Sequence, residues 1–242
     1  TKRSNNAPLI HHHGSSPSNP PHKNCPSAQP NKYPELSSEL SGGVGVGCSN
    51  KHYGVPSNLL RPYPGKDMGD GWETARHPER PGIVTIDAIT GLQDTELMDW
   101  CVVKLGYGGA KGSTIEGTEG GISRIIVDTR HFKGNFPESV KIDGCCVDEK
   151  LISDEEVCAS AGDNGDDTAK DGIYNNNNKV GGKEKEKQQV KWFTLLQRTS
   201  LTADAEHEFL REYGHLNNAR RGVTHVRISI SPDVDCRGYK YV

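Results

Sequence analysis

Two short stretches carry most of the chemistry-bearing side chains. The first is Asp67-Met68-Gly69-Asp70-Gly71-Trp72-Glu73-Thr74-Ala75-Arg76. It sets acids and a base among glycines, which permit backbone conformations and close approaches that other residues resist. Asp70, Glu73 and Arg76 lie three positions apart, so a helical turn or tight loop would aim all three one way. The second stretch is Asp128-Thr129-Arg130-His131-Phe132-Lys133-Gly134-Asn135-Phe136-Pro137. Here a carboxylate, an imidazole, an ammonium and an amide fall within eight positions. Such a set supplies a general acid and base together with groups that grip a small polar substrate. The expectation is that the two stretches meet in one polar site.

The elements that must position them read as strands. Trp100–Leu105 is a compact apolar run between turn signals, and Ile122–Thr129 is rich in β-branched residues. The second run delivers Asp128 and His131 at its end. Ser139–Gly144 alternates, with Val140 and Ile142 expected inward and Lys141 and Asp143 outward. Val190–Leu196 resumes the pattern. Val223–Ile230 alternates most cleanly: Thr224, Val226, Ile228 and Ile230 share one face, and Val223, His225, Arg227 and Ser229 the other. The second set is expected on the exposed face, which adds His225 and Arg227 as binding candidates. Ala203–Tyr213 fits a helix capped by Gly214 or a strand near His207–Leu210, and Cys236–Val242 fits a last strand. Short strands joined by Gly- and Pro-rich loops, with almost no helix, point to an all-β antiparallel sandwich.

Composition bounds the rest. The 242 residues are 32% hydrophobic, with mean hydropathy −0.72, so part of the chain is expected to stay unpacked. Residues 1–47, rich in Pro, Ser, Asn and Gly, read as a disordered tail, with His11-His12-His13 as solvated linker. Residues 147–189 read as a low-complexity insertion, acidic, then Asn-rich, then Lys/Glu-rich. Residues 48–242 are then one domain. A formal charge of −3 and a pI near 6.3 give no reason to expect nucleic acid or an anionic membrane as partner. No apolar run reaches bilayer length, and the opening residues lack a signal peptide's apolar core. Seven irregularly spaced cysteines read as reduced thiols in a cytoplasmic protein.

The ordered motifs resemble the allantoicase family. The resemblance is carried by Asn58-Leu59-Leu60, by Met68-Gly69-Asp70-Gly71-Trp72-Glu73-Thr74 with Arg76, and by Asp99-Trp100 and Lys104-Leu105-Gly106. It continues through Val127-Asp128-Thr129 and His131-Phe132-Lys133-Gly134-Asn135-Phe136-Pro137-Glu138-Ser139. Thr224-His225-Val226-Arg227 and Ser231-Pro232-Asp233 close the set. A run of motifs in this order is more specific than any one of them. It implies a jelly-roll β-sandwich of the galactose-binding-like type, present as one repeat and most similar to the family's C-terminal one. It also implies hydrolysis of allantoate to ureidoglycolate and urea in purine catabolism. The wording departs from the family's after Pro81-Gly82, where Ile83–Glu96 is inserted and a family His has no counterpart. Arg130 and Val234-Asp235 also depart from it.

The site residues follow from the chemistry such a substrate demands. Glu73 and His131 are the acid/base candidates, with Asp128 to orient His131. Arg76 or Lys133 would hold the substrate carboxylate. Asp70 and Asn135 would take the ureido groups, with His225 and Arg227 in the second rank. Trp72 and Phe132 are expected in the core. Asp128, His131 and His225 are metal-ligand types, yet their spacing carries no metal motif, so a divalent metal is left open. Homo-oligomerisation or pairing with a second repeat is left open as well. The alternative reading is a non-catalytic small-ligand module or a degenerate repeat.

Overall fold

The structure is a computed structural model and describes residues 33–80, 83–112, 120–162 and 189–231. From Glu35 onward the described residues form one compact unit. Seven strands and one α-helix are described: β1 (Val44–Cys48), β2 (Asp99–Lys104), β3 (Arg124–Asp128), β4 (Ser139–Cys145), α1 (Asp154–Ser160), β5 (Phe193–Ser200), β6 (Glu206–Leu210) and β7 (His225–Ile230).

A five-stranded antiparallel sheet runs in the order β1-β2-β7-β4-β5, and β3 pairs with β6 in a second, two-stranded sheet. Val140, Ile142, Leu195 and Leu196 of the large sheet pack with Ile125, Val127 and Phe209 of the small one. The described residues thus form an all-β sandwich with one helix, as the strand pattern implied, and it is jelly-roll-like, as the family resemblance implied. Strands joined by connections of very unequal length bury branched apolar residues between the two layers.

The opposite face of the large sheet is also covered, which the sequence reading missed. Val102, Cys145, Val147, Ile152, Val157 and Ala161 form a second core beneath α1. Part of the span read as a low-complexity insertion is therefore folded. Ser153 caps α1, accepting from the Glu156 amide, while the Glu156 carboxylate accepts from the Ser153 amide. The acidic run Asp154-Glu155-Glu156 is the first turn of a helix, where negative charge suits the backbone dipole. Asp143, expected outward, is buried because α1 roofs that face.

Folded structure also begins before residue 48, inside the expected tail. Ser38 is buried and caps a 3₁₀ turn, and β1 pairs with β2 from Val44 opposite Lys104 to Cys48 opposite Cys101. The Val-Gly-Val-Gly stretch looks like linker but is a strand. A side chain at Gly47 would run into Sγ of Cys158 on α1, so this glycine lets helix and strand approach. Glu206–Leu210 is the strand alternative for its span, followed by a 3₁₀ turn that Gly214 caps at φ 72°. His11–His13 and Cys236–Val242 lie outside the described residues.

Candidate active site

The first stretch is built as a turn followed by an extended run. Asp67 caps the 3₁₀ turn Met68–Asp70 by accepting from the Gly69 amide at 2.9 Å. Asn58 holds the turn from outside, its Nδ2 donating to the carbonyls of Gly71 (2.8 Å) and Gly69 (3.2 Å). Asp70 uses both carboxylate oxygens locally: Oδ1 pairs with Arg61 and Oδ2 accepts from the Lys66 amide at 2.8 Å. The Lys66 amide first, and Arg61 with it, hold the Asp70 carboxyl below the usual carboxylate range.

Beyond Gly71 the chain runs extended beside residues 50–52. The buried Trp72 donates Nε1–H to the Asn50 carbonyl at 3.0 Å, and the His52 amide donates to the Glu73 carbonyl at 2.8 Å. No helical turn continues past Asp70, so Asp70, Glu73 and Arg76 do not share a helix face. Glu73 is half-buried and Arg76 exposed, and neither side chain pairs with a described residue.

The second stretch folds as a tight turn off the end of β3. The buried Thr129 hydroxyl donates to the Thr202 carbonyl at 2.6 Å and anchors the turn. Asp128 pairs with Arg130, accepting its backbone amide at 2.8 Å and its Nε at 2.7 Å. Partial burial pushes the Asp128 carboxyl up, but the Arg130 bonds outweigh it and leave the carboxyl below its usual range. Asp128 therefore serves Arg130, and its expected role of orienting His131 is corrected. His131 instead donates its amide to Asp204 Oδ1 at 2.8 Å, with Nε2 2.9 Å from the Gly65 carbonyl oxygen. Lys133 Nζ lies 3.6 Å from Asp204 Oδ2, and Asn135 is half-buried without a described partner.

The two stretches meet. His131 reaches the Gly65 carbonyl, and a Cβ at Gly71 would stand 3.0 Å from the Phe132 ring. Glu73, Arg76, Lys133 and Asn135 belong to the two segments so joined. Arg61 and Asp204, which hold the loops in place, were not singled out in the sequence. Asp204 sits in the span of ambiguous periodicity, and only tertiary structure brings it to His131.

His225 and Arg227 are not part of this junction, and their expected placement on an exposed face is corrected. Both are buried on the large sheet beneath α1. His225 Nε2 donates to Asp154 Oδ1 at 3.2 Å, and its Nδ1 lies 3.0 Å from the Thr224 hydroxyl. Burial lowers the His225 imidazole below its ordinary value, although Asp154 works the other way. Lys104 joins the group, 2.9 Å from Glu149 and 3.2 Å from Asp154. Arg227 donates to Asp143 Oδ2 at 2.8 Å and to the Ala161 carbonyl at 2.8 Å, with its guanidinium 5.2 Å from the Trp192 ring centroid. Neither residue is available for a ligand.

Among the described residues no three His, Cys, Asp or Glu side chains converge as a metal would need. Burial pushes the Cys145 thiol up to about 12, so it is not a thiolate nucleophile at neutral pH. An open cleft of about 540 Å³, lined by Cys146, Gln189, Lys191, Phe193, Arg221 and Gly222, contains none of the site candidates. No described helix is long and apolar enough to cross a membrane.

The family model for the allantoicase repeat matches residues 34–234. A probable allantoicase of Pseudomonas savastanoi pv. phaseolicola is 32% identical over 213 residues, covering 88% of this chain and 46% of that protein. A probable allantoicase of Stutzerimonas stutzeri gives the same identity and coverage. The crystal structure of allantoicase from Saccharomyces cerevisiae superposes with a TM-score of 0.49 at 26% identity, covering 82% of this chain and 39% of that one. The chain spans about half the length of the curated relatives it matches. With most of its length matched by the repeat and 32% of the aligned residues identical in those relatives, the chain belongs to the allantoicase family.

Proposed function

We propose that this chain serves in the hydrolysis of allantoate to ureidoglycolate and urea, as one allantoicase repeat. The match to the repeat over residues 34–234 carries the reading. The junction of the two loops supports it, because the chemistry requires groups not already committed elsewhere. Arg76 is exposed and unpaired, suited to a bidentate hold on the substrate carboxylate. Lys133 and Asn135 offer donors, and Asn135 also an acceptor, to the ureido groups. Asp70, first expected to bind a ureido group, has both oxygens engaged and acts as a brace for its loop.

The reaction exchanges one carbon–nitrogen bond for one carbon–oxygen bond. The Glu73 carboxylate takes a proton from water as its oxygen attacks the carbon bearing the ureido groups. The Nδ1–H of the His131 imidazolium protonates the departing nitrogen, and urea leaves neutral. Proton return from Glu73 to His131 resets the pair. General acid–base assistance of this kind contributes about 10²–10⁴-fold.

Pairing with a second repeat, or with another copy of the chain, fits the length difference from the relatives. A cytoplasmic setting fits the free thiols of Cys48, Cys101, Cys145, Cys146 and Cys158. The test is urea release from allantoate by the purified chain, with and without Mn²⁺ and with a chelator. Turnover establishes a complete site in one repeat, and the metal arms read its metal requirement. Binding without turnover makes the chain a half-site that needs a second repeat. A folded chain that neither binds nor turns over allantoate contradicts the proposal.

A further inference from the structure

His131 is held by two segments far apart in sequence. Its φ is 74°, a left-handed conformation that non-glycine residues seldom adopt and that persists where surroundings enforce it. Asp204 enforces it from one side. Its Oδ1 accepts the His131 amide at 2.8 Å, and its own amide donates to the Phe132 carbonyl at 3.1 Å. The pair closes a small reciprocal ring, and Asp204 itself sits at φ 52°. The other side is the Gly65 carbonyl, 2.9 Å from Nε2. A carbonyl oxygen only accepts, so Nε2 carries a proton whether the ring is neutral or charged. Gly65 is fixed in turn, because Asp70 ties down the neighbouring Lys66 amide at 2.8 Å and is itself tied to Arg61. Nδ1 has no partner among the described residues.

We propose that Asp204 and Arg61 are positioning residues: together they commit the Nε2–H of His131 to the Gly65 carbonyl, so that Nδ1 alone exchanges a proton. The functional consequence rests on His131 being the proton donor in allantoate hydrolysis; the tautomer does not. A ring free to rotate would divide its time between two nitrogens and misplace the donor. A misplacement of about 1 Å costs on the order of 10²-fold in rate.

Long-range ¹H–¹⁵N spectra of the full chain read the two ring nitrogens separately. In the wild type His131 shows a protonated Nε2 and a bare Nδ1 at high pH. Asp204→Gly keeps the left-handed backbone accessible but removes the acceptor, so the two nitrogen shifts move toward a common value. Its kcat for allantoate falls by about 10²-fold with KM near the wild-type value. Asp204→Asn retains a carbonyl acceptor, tolerates the backbone, and restores both readouts. An unchanged His131 spectrum in folded Asp204→Gly overturns the proposal, as does an Asp204→Asn chain that behaves like it. Should Asp204→Gly not fold, Arg61→Met loosens the brace from the other side, and an unchanged His131 spectrum there is equally contrary. The expected ring signals in a chain that neither binds nor hydrolyses allantoate would uphold the positioning and sink the hydrolytic reading.

Discussion

The roof of the large sheet and the junction of the two loops hold similar side chains to opposite effect. Beneath α1, Lys104, Asp143, Asp154, His225 and Arg227 look like the makings of a site: acids, cations and an imidazole on adjacent strands and a helix. Every one is paired, and His225, Asp143 and Arg227 are buried. On the two stretches that meet, Glu73, Arg76 and Asn135 have no described partner, and Lys133 makes one long contact with Asp204. What separates a structural cluster from a candidate active site here is the saturation of its partners, not its residue types. A buried pair satisfies itself, whereas a site must leave groups free for a ligand.

The strongest way to break this contrast is to unpair the roof. Arg227→Ala leaves the Asp143 carboxylate buried beside only Lys141 and Thr194, and should cost about 3–5 kcal/mol in urea denaturation. A change within about 0.5 kcal/mol would remove the distinction between the two regions. Glu73→Gln asks the reverse question. Its denaturation midpoint should stay near wild type, because the side chain pairs with nothing, while urea release falls by about 10²-fold or more. A large stability loss with turnover retained would make Glu73 structural.

The roof should also show in the pH dependence of stability. Burial depresses the folded-state value of His225 below its ordinary 6.5, despite the neighbouring Asp154. Between those two values the unfolded chain binds a proton that the fold resists. Stability contributed by His225 is therefore full above about pH 6.5 and declines as pH falls through the folded value. His225→Gln should flatten that acid-side decline, and an identical pH profile would show that His225 is not responsible. The smallest effect belongs to Lys133→Ala. Its pair with Asp204 is long and open to solvent, so thermal melting should barely change even where substrate affinity weakens.

The sequence exposes what depends on local pattern. The β-branched alternation of Ile122–Thr129, Ser139–Gly144 and Val223–Ile230 locates β3, β4 and β7, and the two faces are correctly divided from His225 to Ile230, whereas Val223 and Thr224, before the strand, lie on the faces opposite to those expected. It does not tell which face meets water, because α1 covers the one that was expected to be exposed. The strand β1 is hidden by glycines that look like linker, and α1 by a short acidic run that looks like solvated sequence. The meeting of the two loops is anticipated from the density of their polar residues. That Asp70 answers to Arg61, Asp128 to Arg130, and His131 to Asp204 and Gly65 is not. Several of these partners lie within one loop, where spacing permits many pairings, and others are more than 60 positions away.

The measurement that bears most directly on the contrast is an allantoate titration followed by backbone amide chemical shifts. Perturbations are expected at residues 65–76 and 128–135, with the amides of Asp143, Asp154, His225 and Arg227 unmoved. Shifts centred on the roof, or on Cys146, Lys191 and Arg221, would place the ligand elsewhere and contradict the assignment of the site to the loop junction.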